Sequence, residues 1–216
     1  MLLTAQQLKS LFAQWANIML AQKETLIEMD SIVGDGDLGL TMSDGFRSAY
    51  HAVSRSDETD IGKFFYLAGK TMSSAVPSTM GTLMASGLIE VGKTFKGKTT
   101  LKSEEFGILF QSFFCGVQNR GKAQLGEKTF LDGLFPAISV LNQENAEKQD
   151  WISLAHLAHE EAKRGVQNTT TLIAKHGRAA THEERSRALL DPGAYVAQLL
   201  IGGYCMFADD YLAQDE

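Results

Sequence analysis

A chain of 216 residues is long enough for one large domain or two small ones with a substantial core. Its 44% apolar and 21% charged residues are an ordinary globular composition, and a net charge of −6 without any Lys/Arg stripe argues against a nucleic-acid binder. No basic segment followed by an apolar run opens the sequence and no span of about 18 apolar residues occurs, so a cytoplasmic protein without membrane contact is expected.

Helical periodicity runs along the whole chain. Thr4 with Gln7 reads as a capping box, and Leu8, Leu11, Phe12, Trp15, Ile18 and Met19 follow on one face. Next comes Asp30-Ser31-Ile32-Val33-Gly34-Asp35-Gly36-Asp37-Leu38-Gly39, an acidic loop that runs into an apolar stripe of Met42, Phe46, Ala49, Tyr50 and Val53. Further helices are predicted over residues 61–74, 79–95, 104–119, 129–141 and 151–175. The last opens with Asp191-Pro192, an N-cap followed by proline at the first helical position, and runs to about Leu212. Val196, Leu199, Leu200, Ile201, Tyr204 and Phe207 make it apolar nearly all round, which predicts a central position. No alternating strand pattern of useful length competes. Cys115 and Cys205, far apart in apolar segments, read as buried thiols.

Three prolines, at 77, 136 and 192, and no linker leave the chain undivided. The expectation is therefore one all-α domain over residues 1–216, an antiparallel bundle or barrel of about eight helices. Several of the 20 glycines cluster between helices, where backbone can approach a ligand closely. The one long connection, residues 177–190, is polar and charge-rich, the character of a lid.

Four segments carry candidate chemistry. Carboxylates about 4 Å apart repel by roughly 1 kcal/mol in water and about 4 kcal/mol when partly buried. Asp30, Asp35 and Asp37 beside a helix start therefore suit a hard cation, Mg²⁺ or Ca²⁺, and the helix start suits a phosphate. An Asp-Gly turn with an N-cap at Asp37 is the competing reading; an EF-hand does not fit the spacing. In Ser73-Ser74-Ala75-Val76-Pro77-Ser78-Thr79-Met80-Gly81-Thr82, Ser78 or Thr79 can cap the following helix, with or without a phosphate at its amides. Arg120-Gly121-Lys122-Ala123, with Gly126, Lys128, Thr129 and Asp132, can line a nucleotide pocket or simply complement a helix end. Lys175-His176-Gly177-Arg178 places an arginine, with its fixed fork of donors, on the mobile connection before Asp191-Pro192-Gly193-Ala194. His156 and His159 have a spacing that can bind zinc but no evident acidic or cysteine partner, so a polar helix face is favoured. No nucleophile–base pair and no Gly-x-x-x-x-Gly-Lys-Ser/Thr phosphate loop is present.

Taken together and in this order, these segments resemble the nucleotide-binding L subunit of dihydroxyacetone kinases, the DhaL or DAK2 domain family. The matching phrases are Gly34-Asp35-Gly36-Asp37-x-Gly39-x-x-Met42, Arg120-Gly121-Lys122-Ala123-x-x-Gly126-x-Lys128-Thr129, Gly177-Arg178-Ala179, Glu184-Arg185-Ser186 and Asp191-Pro192-Gly193-Ala194, covering essentially the whole chain. The resemblance implies an eight-helix antiparallel barrel with ADP or ATP at one rim. It implies two Mg²⁺ ions on Asp30, Asp35 and Asp37, phosphate contacts from Gly39 and Thr41 at the helix start, and Leu38 among the nucleotide-binding residues. Ser78, Thr79, Met80, Gly121 and Phe130 would hold the rest of the nucleotide. Arg178 would act in catalysis and close over it with Asp191, Gly193 and Ala194.

The implied reaction is phosphoryl transfer to a small ketose held covalently by a separate K subunit, so the missing nucleophile is expected. A phosphotransferase-system M subunit that recharges bound ADP, or exchange with ATP, would supply the phosphoryl group, and a homodimer is among the expected assemblies. The chain departs from the family at Leu38 (usually histidine), Thr41 (asparagine in some members), Pro77-Ser78 (a Gly-Gly pair) and Ala188 (a lid glycine). These changes fall on the nucleotide-facing loop and the lid and leave open a related ketose such as a tetrulose. The alternative function is a nucleotide-loaded regulatory module that reports phosphorylation state to a partner such as a transcription factor.

Overall fold

The computed structural model describes residues 1–143 and 150–215, with side chains through Tyr211. Nine α-helices are present among these residues: α1 (Ala5–Ala21), α2 (Lys23–Val33), α3 (Leu38–Ser54), α4 (Ile61–Ala75), α5 (Thr79–Thr94), α6 (Phe106–Gly121), α7 (Phe130–Leu141), α8 (Trp151–Asn168) and α9 (Pro192–Asp215). They pack in the cyclic order α1–α3–α4–α5–α6–α7–α9 and back to α1, with α8 against α7 and α9 and α2 against α3. Periodicity left a bundle or a barrel open; the closed ring of contacts is the all-α barrel that the family resemblance implies. Two three-residue strands, β1 (Leu2–Thr4) and β2 (Thr100–Lys102), pair antiparallel and tie the chain start to the approach to α6. Among the described residues no helix is long and apolar enough to cross a membrane.

Helix starts follow the sequence signals. Thr4 and Gln7 form the reciprocal capping box, Ser78 accepts from the Gly81 amide, and Thr129 with Asp132 caps α7. Asp191 Oδ2 accepts from the Ala194 amide at 2.7 Å and so caps α9. The additional helix, α2, buries only Leu26 and Val33, which is too thin an apolar stripe to announce itself. α8 stops at Asn168 rather than at residue 175, because Thr169–Thr171 tightens into a 3-10 turn.

α9 is the central element, with Val196, Leu200, Ile201, Tyr204 and Phe207 at 1% exposure or less. Trp15 of α1 is fully buried and donates its indole N–H to the Leu200 carbonyl at 2.8 Å, closing the ring between α1 and α9. Part of the glycine content serves this packing rather than a ligand. A Cβ on Gly62 of α4 would lie 2.4 Å from the Gly92 carbonyl oxygen, so α4 and α5 touch backbone to backbone there. Cys205 is buried, Cys115 is half-buried, and both are free thiols.

Candidate nucleotide and metal site

The acidic cluster is built from two elements. Asp30 sits in the last turns of α2, not in a loop as the sequence suggested, while Asp35 and Asp37 follow on the turn into α3. Gly36, at φ +75°, makes the left-handed turn that brings the second pair back towards the first. The three residues each offer a carboxylate oxygen within 4.8 Å of the others. Asp30 Oδ2 accepts the Leu38 amide at 3.3 Å, fixing the cluster to the start of α3. Asp37 occupies the N-cap position of α3 but makes no side-chain capping bond. Its carboxyl is pushed above the usual range, first by burial and then by the negative charges of Asp35 and Asp30. A group of oxygen donors that raises its own proton affinity fits a hard divalent cation.

Across from the cluster lies the start of α5. Ser78 takes up the Gly81 amide, and the Thr79 and Met80 amides have no intrahelical acceptor. The lid enters from a third side: its first part, Arg178–Ser186, is a pair of 3-10 turns kinked at Glu183, and Arg178 Nη2 reaches Asp35 Oδ2 at 2.6 Å. At its base His176 Nε2 lies 2.6 Å from Glu127 Oε2, and this contact holds the Glu127 carboxyl below its ordinary range.

Two adjoining cavities result. The smaller, about 300 Å³, is lined by Asp30, Asp35, Asp37, Leu38, Ser78, Thr79, Met80, His176, Arg178, Asp191 and Gly193, among others. The larger, about 740 Å³, shares Ser78, Thr79, Met80, His176, Gly177, Asp191 and Gly193 and continues past Leu83, Val117, Arg120, Gly121, Lys128 and Phe130. A polar cleft opening into a mostly apolar pocket of this size suits a small ligand with a charged end and a flat apolar end.

Twelve of the fifteen residues singled out in the sequence line one or both cavities; Gly39, Thr41 and Ala194 line neither. Gly39 faces α2, where an added Cβ would meet the Lys23 carbonyl oxygen at 2.1 Å. Thr41 is buried and borders a shallow depression beside Asp37 and Ser78. Ala194 is fully buried and its amide serves the Asp191 cap. The Asp191 carboxyl is pushed up to about 7 by burial, against the pull of the Ala194 amide and the Lys128 ammonium.

Elsewhere the structure corrects the reading of His156 as part of a plain polar face. Its Nε2 lies 2.8 Å from Asp209 Oδ1 and its Nδ1 lies 3.3 Å from Cys205 Sγ, both partners on α9. The three residues are a second group of metal-ligand type, although these contacts occupy opposite nitrogens of one ring. His159 is half-buried near Gly202, and burial lowers its proton affinity.

Comparison with known proteins points the same way. Residues 32–206 match the model of the DAK2 domain. The chain is 32% identical to the "PEP-dependent dihydroxyacetone kinase 1, ADP-binding subunit DhaL" of Listeria innocua over 82% of this chain and 84% of that one. It is 30% identical to the corresponding ADP-binding subunit DhaL of Escherichia coli over 90% of this chain and 92% of the other. The crystal structure of the C. freundii dihydroxyacetone kinase in complex with AMP-PNP and Mg²⁺ superposes with a TM-score of 0.65 at 19% identity, covering 94% of this chain and 33% of that one. With the family model spanning most of the helical barrel, the chain belongs to the DAK2 domain family.

Proposed function

We propose that this chain, over residues 1–216, is the ADP- or ATP-binding subunit of a dihydroxyacetone-type kinase. It acts in the cytoplasm and passes a phosphoryl group to a small ketose held on a separate K subunit. The observation that carries the reading is the facing of three convergent carboxylates, the open start of α5 and Arg178 across one cleft that leads into an apolar pocket. The Listeria and E. coli relatives, themselves ADP-binding subunits, support it.

Asp30, Asp35 and Asp37 would hold Mg²⁺, two ions in our reading, which supplies neutralisation of phosphate oxygens when bound. Phosphoryl transfer asks the protein mainly for positioning and charge stabilisation. The Thr79 and Met80 amides and the Arg178 guanidinium are donors for phosphate oxygens, and Gly121 and Phe130 lie in the wall that would receive the base. Leu38, buried beside the carboxylates, brings no side-chain donor to the cleft where the family usually has a histidine, and the acceptor in our reading includes a related ketose such as a tetrulose beside dihydroxyacetone.

Native mass spectrometry of gently purified protein, before and after incubation with ATP and Mg²⁺, tests the assignment. The expected result is one nucleotide and Mg²⁺ per chain: ADP that resists exchange indicates recharging by an M subunit, and rapid exchange indicates direct use of ATP. Binding of neither nucleotide nor metal overturns the reading. Ketose phosphorylation by the reconstituted complex that survives Asp35→Asn overturns the assignment of Asp35 as a metal ligand.

A further inference from the structure

Lys128 is 3% exposed, and its backbone lies at φ +60°, a left-handed conformation that costs an L side chain about 1 kcal/mol. Although it lies beside the larger cavity, its ammonium does not serve that cavity. Nζ donates to backbone carbonyls only: Thr169 at 2.7 Å and Leu172 at 3.4 Å at the exit of α8, and Ser186 at 2.6 Å, Arg187 at 3.1 Å and Leu189 at 2.5 Å at the far end of the lid. Three N–H donors are thus shared among five acceptors drawn from two segments. A buried ammonium demands such partners, and those carbonyls would otherwise crowd together without a donor. Thr169 extends the cage: its hydroxyl accepts the Asp191 amide at 3.1 Å, which links it to the cap of α9. Burial lowers the proton affinity of Lys128, and the Asp191 charge counters that effect.

We propose that Lys128 is the positioning residue of the lid. Its ammonium fastens residues 186–189 to the end of α8, so that the opposite end of the same segment holds His176 and Arg178 over the cleft. The part of this proposal that concerns ligand retention rests on the nucleotide-binding reading above; the part that concerns lid order does not.

The test uses the full chain carrying Lys128→Met, with Lys128→Gln as the milder variant that retains a donor. Limited trypsin digestion, followed by mass spectrometry, reads cleavage after Lys175, Arg178, Arg185 and Arg187. Stopped flow reads dissociation of a fluorescent ADP in the presence of Mg²⁺. The expected result is lid cleavage and ADP release each faster by about tenfold or more in Lys128→Met, with Lys128→Gln intermediate and the thermal midpoint within a few degrees of wild type. Faster lid cleavage in Lys128→Met, when neither it nor the wild type binds ADP, would uphold the lid assignment while sinking the nucleotide reading. Unchanged lid cleavage in a folded Lys128→Met variant, or new cleavage spread over the whole chain, would overturn the proposal. Failure of both variants to fold would also overturn it, because Lys128 would then be a determinant of the barrel itself.

Discussion

Replacing Asp37 by Asn separates charge from capping, since Asn caps a helix start as well as Asp does. Asp37 makes no capping bond in any case and lies with two other carboxylates inside 4.8 Å. The cluster is partly open to water, with Asp35 41% exposed, so the lower Coulomb figure of roughly 1 kcal/mol per pair applies. Removing one charge relieves two repulsions and weakens the attraction to Arg178, for a net gain of roughly 1 kcal/mol in EDTA. In a chain of this size that raises the melting midpoint by roughly 2–4 °C. In Mg²⁺ the sign reverses. The wild type at 100 times its dissociation constant gains about 2.7 kcal/mol, most of which the variant forgoes. Differential scanning fluorimetry in EDTA and across a Mg²⁺ titration reads both effects. A lower midpoint in EDTA together with an undiminished Mg²⁺ response would mean that the three carboxylates neither repel one another nor share a cation, and would return Asp37 to the role of a simple turn residue.

Asp191 gives the fold a pH dependence. Its folded-state carboxyl is raised by burial from 3.8 to about 7, so its contribution is full below about pH 4 and is lost as pH rises through 7. Urea melts from pH 4 to 8 should therefore show Asp191→Asn gaining on the wild type by up to about 1.4 kcal/mol per pH unit across that window; a constant difference would contradict the assignment. Gly62→Val drives a side chain into the Gly92 carbonyl and should cost about 3 kcal/mol or more, read as a fall in the urea midpoint at unchanged slope. Arg178→Ala removes a pair that is 68% and 41% exposed and should change stability by less than about 1 kcal/mol. Phosphoryl transfer in the reconstituted complex should fall by about 100-fold or more, and a matching loss of stability would show Arg178 to be structural.

The barrel was legible because most helices carry wide apolar stripes and standard caps: Thr4 with Gln7, Ser78, and Asp191-Pro192 all start helices where the sequence places them. α2 was not, because two buried residues make no stripe, and β1 and β2 are too short to alternate. The acidic motif was visible in its residue types as a convergence of carboxylates, but not that Asp30 belongs to a helix. The role of Lys128 was hidden for a different reason: its partners are main-chain carbonyls, which leave no mark on the sequence, and a lysine near glycines reads as lining a pocket or complementing a helix end instead. The partners of His156 were hidden by distance, lying 49 and 53 residues away on α9. Gly39 shows the limit of motif transfer, since its lack of a side chain is already explained by contact with α2.

The indole of Trp15 and the carbonyl of Leu200 meet although they stand 185 positions apart in the chain. Neighbouring pairs such as α4 with α5 need only a short loop to close, so they can form early, whereas the α1–α9 seam must wait for a long-range encounter. Kinetic durability is then concentrated in that joint: a seam that forms after the folding barrier governs how fast the ring springs open, not how fast it assembles. Amide exchange along α1 and α9, compared with that along α4 and α5, would register this ordering.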